Sequence, residues 1–148
     1  MIVHRLARPL IAAVFVISGI EVLRNPEGRV KTATPFLQST VGKLEEKADG
    51  LPARVPTDPE TLVRASAALK VVAGLGLALG KFPRLSALLL ALDLVPTTMA
   101  GHSYWEHEDP ATRGQQRIHF LKNLGLFGGL VLAATTGGKR RKVKVEAE

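Results

Sequence analysis

Four stretches of the chain carry almost no charge, and charge-rich polar segments separate them. The first runs from Pro9 to Leu23, the second from Pro59 to Gly80, the third from Leu85 to Gly101 and the fourth from Ile118 to Thr136. Within Leu85–Leu92 and Leu124–Ala134 no polar residue recurs at each turn, so neither stretch has the wet face of a soluble amphipathic helix. With its polar ends, each block nears the roughly 20 residues a helix needs to cross a hydrocarbon core about 30 Å thick. A chain of 148 residues is too short to bury four helices that are apolar all round. The pattern predicts an all-α, four-helix transmembrane bundle forming a single domain, with spans at about 6–23, 62–80, 84–101 and 118–136.

Punctuation residues refine these elements. Arg5 and Arg8 ahead of the first block resemble the basic region of a signal peptide, but no small-x-small cleavage site follows, so a retained helix from Leu6 is expected. Asn25-Pro26-Glu27-Gly28 stops it. Thr34-Pro35 reads as an N-cap with proline at the first helical position. From there Leu37, Val41, Leu44 and Ala48 share one helical face. A short amphipathic helix is therefore expected in the first extracytoplasmic loop, on the membrane surface or over the bundle mouth. A solvated loop helix is the plain alternative. Thr57-Asp58-Pro59-Glu60 has capping-box spacing, Lys81-Phe82-Pro83-Arg84 is a tight basic turn, and Pro96 is an expected kink. Gly76-x-x-x-Gly80 and Gly125-x-x-x-Gly129 have the spacing that lets membrane helices approach closely.

Composition changes this picture in two places. Averages of 22% charged and 46% apolar would suit a soluble protein, so the distribution carries the conclusion. The absence of cysteine excludes thiolate nucleophiles, Cys-ligated zinc, iron–sulfur clusters and c-type haem on this chain. The net charge of +7 lies largely at the two ends and the Lys81–Arg84 turn. Counting the basic residues close to span ends puts both termini in the cytoplasm of a multi-pass plasma (inner) membrane protein. Tyr104 and Trp105 then fall at the outer interface. The basic tail, 137–148, faces an anionic leaflet more simply than a nucleic acid, and no nucleic-acid partner is expected.

Several segments resemble the DoxX family of membrane proteins, of the actinobacterial type. They are Arg5-x-x-Arg8-Pro9 leading into FVISGIEVLRNP, the run LALGKFPRLSALLLALDLVPTTMAGHSYW across the basic turn, and QQRIHFLKNLGLFGGLVL, which resembles the family's last helix. The resemblance covers nearly the whole chain apart from the Val30–Asp58 loop and the tail. It implies a compact four-helix membrane bundle. The family takes its name from a quinone-linked oxidase of sulfur metabolism, and some relatives work in redox complexes with thiol-handling partners. Fold transfers across such a resemblance better than function does. Any thiol step would belong to a partner, because this chain lacks cysteine.

Ionisable groups inside a bilayer are costly and are functional candidates by default. Lys70 and Asp93 lie on consecutive spans at similar distances from the turn, so an ion pair is expected, either structural or beside a quinone or proton path. Glu21 and Arg24, at i and i+3, read as an interfacial staple, with a functional role as the sharper alternative. His102, His119, Lys122 and Asn123 are candidates for a quinone carbonyl or an anionic head group, with interfacial lipid anchoring as the simpler reading. His102 and His107 with Glu106, Glu108 and Asp109 fit no defined metal motif, and an acidic solvated loop is the plainer reading. No catalytic residue stands out. The expected function is an accessory subunit of a membrane redox or oxidative-stress system. Its expected partners are membrane lipids and other membrane or extracytoplasmic proteins, with a homo-oligomer also open, and quinone is the candidate cofactor. The alternatives are a subunit of a thiosulfate or other sulfur compound:quinone oxidoreductase and, more weakly, a small transporter.

Overall fold

A computed structural model describes residues 2–47 and 58–136. The order is α1 (Ile2–Arg24), α2 (Glu27–Lys47), α3 (Pro59–Leu79), α4 (Pro83–Gly101), a 3-10 turn (Tyr104–Glu106) and α5 (Pro110–Thr136). Among the described residues, four helices are long and apolar enough to cross a membrane: α1, α3, α4 and α5, within the segments Leu6–Arg24, Pro59–Leu79, Pro83–Glu106 and Pro110–Thr136. This is the four-helix bundle expected, with α2 as a fifth helix.

The α3–α4 hairpin follows from its turn residues. Gly80 ends α3 in the left-handed region at φ 70°, donating its N–H to Leu77 O at 3.2 Å. Phe82 is also left-handed, at φ 52°, and Pro83 opens α4. Only glycine takes such a φ without a Cβ penalty, so Gly80 suits the cap and Phe82 carries the local strain. Small residues set the other distances. Ala12, Ala73, Ala87 and Ala91 are buried with Phe15, Leu77, Leu90 and Leu130 in one core. Bulky apolar side chains point outward: Leu10 is 72% exposed, Val72 71%, Leu92 61% and Ile118 68%. Apolar patches on that scale are untenable in water and suit contact with lipid chains.

The close approach between helices follows the predicted glycine spacing at Gly76 but not at Gly125 and Gly129, and the tightest contact of α1 is made at glycines outside either motif. A Cβ added to Gly19 would lie 2.7 Å from Ala67 O and 2.8 Å from Val71 Cγ2, and one added to Gly74 would lie 2.7 Å from Val16 Cγ2. Gly19 and Gly74 therefore bring α1 against α3. Gly125 has nothing within 4 Å of its virtual Cβ, and Gly129 meets only Ile11 Cδ1 at 3.7 Å. Gly76 is tight against Ser86 Oγ across the hairpin, at 2.6 Å.

Three helix starts differ from expectation. The first helix begins at Ile2, one turn before Leu6. The loop helix begins at Glu27 rather than near Thr34, and Pro35 lies inside it. Pro26 and the acidic Glu27 make a good first turn, and Val30 N–H already donates to Pro26 O at 2.8 Å. Of the expected apolar face, Leu37 is half-buried, while Ala48 and the side chains of Val41 and Leu44 lie outside the described residues. The packed face is instead Arg29, Thr32, Ala33, Phe36 and Leu37, a spacing of i, i+3, i+4, i+7 and i+8, which sets α2 against α3 and α4. The last helix begins at Pro110, two turns before Ile118. Asp109 starts it, its Oδ2 accepting from Thr112 N–H at 2.8 Å and Thr112 Oγ1 at 2.7 Å. Asp58 does the same for α3 through Thr61, at 2.9 and 2.8 Å. Pro96 lies within α4, whose helix is unbroken from Pro83 to Gly101. The basic tail, 137–148, lies outside the described residues.

Candidate functional site

The hairpin brings Lys70 of α3 to Asp93 of α4. Lys70 Nζ lies 3.1 Å from Asp93 Oδ2, and both side chains are more than nine-tenths buried. One turn before Lys70, Ser66 Oγ donates to Asp93 Oδ1 at 2.6 Å and accepts from Lys70 Nζ at 2.9 Å. One turn after Asp93, Thr97 Oγ1 accepts from Lys70 Nζ at 3.3 Å and donates to the Asp93 carbonyl at 2.8 Å. Asp93 Oδ2 itself has no aligned hydrogen-bond donor, so the Lys70 contact there is one of charge. Removing either ion would leave the other uncompensated in a low-dielectric site, which is the costly situation for a buried pair.

A second polar chain joins α4 to α5. Thr98 Oγ1 donates to Leu94 O at 2.7 Å and accepts from Asn123 Nδ2 at 3.0 Å. Because the hydroxyl proton is committed to Leu94, the Asn123 amide is oriented with its NH₂ toward Thr98. His102, past the end of α4, donates from Nδ1 to Gln116 Oε1 at 2.7 Å and stacks on His119, with ring centroids 5.2 Å apart and planes at 25°. Beside them Tyr104, Trp105 and Phe120 form an edge-to-face cluster, with centroids 5.1 to 5.8 Å apart. Amphipathic rings at this end of the bundle suit a membrane interface.

Both polar chains border one cavity of about 400 Å³ that all five helices line. Its apolar wall includes Phe15 and Val22 of α1, Phe36 and Leu37 of α2, Leu94 of α4 and Leu126 of α5. Its polar groups include Glu21, Arg29, Lys70, Asp93, Lys122 and Asn123, which converge from five helices. Apolar walls with a few convergent polar groups are the usual character of a small-molecule site.

Of the residues singled out in the sequence, Glu21, Lys70, Asp93, His102, Lys122 and Asn123 line this cavity. His119 does not, and acts by stacking on His102. Arg24 is also off it, and the expected Glu21–Arg24 staple is not formed. Among the described residues, the ion pairs within 4.0 Å are Lys70–Asp93 and the exposed Arg64–Glu60. The segment around His107 brings no three His, Asp or Glu side chains together as a metal site would require, among the described residues. Sequence reasoning missed Ser66, Thr97 and Thr98, which sit one turn from Lys70, Asp93 and Leu94. For Ser66 and Thr97 a small hydroxyl at i±4 from a buried charge was the available signal. It also missed Arg29, which falls in a segment read as loop, and Phe36, which falls in the expected loop helix but off the apolar face assigned to it.

A four-span helical bundle with lipid-facing apolar side chains and a charged pair sealed between its helices is a multi-pass integral membrane protein. A DoxX family model matches residues 4–103, and the chain belongs to the DoxX family. The match takes in α1 to α4, including the Val30–Asp58 loop that the resemblance was expected to leave out, and stops before α5, the helix expected to carry its clearest part. The chain is also similar to inner membrane protein YphA of Escherichia coli (strain K12), 35% identical over 69 residues, or 47% of this chain and 49% of that protein. The aligned part thus spans about half the length of that relative. No solved structure matches the chain.

Proposed function

We propose that the protein is an accessory subunit of a membrane redox or oxidative-stress system, which holds a membrane-soluble amphiphile, a quinone or a lipid, in its inter-helical cavity. The observation that carries this reading is the cavity itself: about 400 Å³, walled by apolar side chains and edged by polar groups from five helices. That volume lies at the lower end of the roughly 300–1,000 Å³ typical of small-molecule sites. The residues present fit a quinone, since the Lys122 ammonium and the second amide N–H of Asn123 are donors suited to carbonyl acceptors, and His102, whose Nδ1–H is held by Gln116, borders them. A bound quinone would supply two-electron redox capacity. The chain's own groups would position and desolvate it. The family's association with quinone-linked sulfur oxidation supports the same direction, with any thiol step on a partner protein because this chain lacks cysteine.

The reading includes a location. The name of the similar E. coli protein and the basic residues at Arg8, Lys81 and Arg84 support the plasma (inner) membrane, with both ends cytoplasmic. The cavity, bordered by the C-terminal half of α4 and the N-terminal half of α5, then lies in the outer half of the bilayer.

Purification in mild detergent followed by mass spectrometry of co-purifying molecules tests the reading. A stoichiometric quinone or lipid, lost when Ala33→Trp fills the cavity, is expected. An amphiphile retained unchanged by that variant would place binding elsewhere and refute the cavity reading. A quinone together with a sulfur-handling protein would favour the oxidoreductase-subunit alternative.

A further inference from the structure

We infer that the cavity selects a single-chain amphiphile with an anionic head, seated between Arg29 of α2 and Lys122 of α5. This rests on the reading that the cavity holds a membrane-soluble molecule, and it names the head group. The argument is charge complementarity. Inside the cavity Lys70 and Asp93 neutralise one another at 3.1 Å. At its rim stand two cations, Arg29 and Lys122, against one carboxylate, Glu21. None of these three has an ion-pair partner within 4.0 Å among the described residues, and neither cation donates a side-chain hydrogen bond to the protein there.

The two cations come from helices far apart in sequence, so their shared position is a product of the fold. Arg29 Nη1 lies 3.8 Å from a Cβ placed on Gly101, which fixes the guanidinium beside the end of α4, next to His102. Lys122 lies one residue before Asn123, whose amide is anchored to Thr98 at 3.0 Å. A guanidinium and an ammonium set at the edge of a low-dielectric cavity attract an anion more strongly than in water. A neutral head group would leave both cations without counter-charge. Behind them Phe36, Leu37, Leu94 and Leu126 offer an apolar wall for a chain. A volume of about 400 Å³ suits one acyl chain better than two.

The test uses the full-length protein in a non-ionic detergent and native mass spectrometry, with hexadecanoate and hexadecan-1-ol as matched probes. The carboxylate is expected to bind at least about tenfold more tightly than the alcohol, the equivalent of one good charge-assisted contact. In Arg29→Gln/Lys122→Gln the ratio should fall to about one, with the alcohol's affinity retained. Equal binding of the two probes to the wild type overturns the inference while leaving the cavity reading intact. Binding of neither probe also overturns the inference, while a co-purified quinone lost in Ala33→Trp would still uphold the cavity reading. A carboxylate preference that persists in Ala33→Trp would place the anion outside the cavity and also overturn the inference. Should the double variant not fold, the wild-type acid-to-alcohol ratio decides alone.

Discussion

Lys70 Nζ and Asp93 Oδ2 stand 3.1 Å apart across the α3–α4 hairpin, with both side chains almost wholly buried. Ser66 and Thr97 complete the ring of contacts: the Lys70 ammonium is held from both helices, and the Asp93 carboxylate by Ser66 and Lys70 of α3. Loss of one partner alone should therefore cost far more than loss of both. Lys70→Met and Asp93→Leu are each expected to destabilise the bundle by about 3–5 kcal/mol, and the double variant to recover most of that loss. Unfolding in mixed micelles, run as a double-mutant cycle, reads the coupling directly. Additive losses would show that the two charges do not stabilise one another.

Gly19 and Gly74 set the distance between α1 and α3, and the Gly125 position of α5 does not take part in any such contact. A Cβ at Gly19 has backbone, Ala67 O, only 2.7 Å away, so relief requires the helices to separate. Gly19→Val is expected to cost about 1–3 kcal/mol by overpacking. Gly125→Ala should be neutral or slightly stabilising, since alanine is the better helix former and nothing lies within 4 Å. Thermal midpoints of the two variants in one detergent check the contrast. Equal losses would mean that α5 packs through this face as well.

How much of this was legible in the sequence depends on whether the signal was local. The spans were legible because lipid leaves no wet face, so composition along Leu85–Leu92 suffices. The Lys70–Asp93 pair was legible because Gly80 and Pro83 fix a tight hairpin, and residues equally far from its turn meet at equal depth. The cavity was not, because it depends on α2 folding back onto α3 and α4, a tertiary contact that no residue of α2 announces. Thr34-Pro35 even misdirected the reading, since a proline fits the first turn of a helix and is also tolerated inside one that bends or borders solvent. The start of α5 was missed although Asp109-Pro110-Ala111-Thr112 repeats the pattern of Asp58-Pro59-Glu60-Thr61, where the capping-box spacing from Thr57 locates the helix start but the cap is Asp58, one residue later. The close approach of α1 and α3 rests on single glycines with no repeat spacing, which pattern alone cannot find.

Those two aspartates tie helix starts to pH. The Thr112 hydroxyl and then its backbone N–H hold the Asp109 carboxyl below the usual carboxylate range, and Thr61 does the same for Asp58. A carboxylate whose pKa is lowered by folding contributes fully above its unfolded value, near about 3.9, and loses that contribution as pH falls through the folded value. The wild type should therefore lose thermal stability on acidification through this range. Asp58→Asn/Asp109→Asn keeps a capping oxygen without the charge and should show a flatter acid limb. Identical acid limbs would mean that the caps do not contribute to the pH dependence.

The orientation of the bundle can be read because the chain contains no cysteine, so one introduced thiol is the only one present. Arg8 Nη1 lies 3.6 Å from a Cβ placed on Gly80, which sets the start of α1 and the α3–α4 turn at the same end of the bundle. A guanidinium there also faces the carbonyl end of α3, where a cation is favoured. The basic turn residues Lys81 and Arg84 then share a side with Arg8, and positive charge in short segments next to spans marks the cytoplasm. Lys81→Cys is expected to resist a membrane-impermeant maleimide in intact cells and to react once the membrane is opened. Glu108→Cys, exposed just before α5 at the opposite end, should react in intact cells. Labelling in the reverse order would invert the topology and move the cavity, with Arg29 and Lys122 at its rim, to the cytoplasmic half of the bilayer.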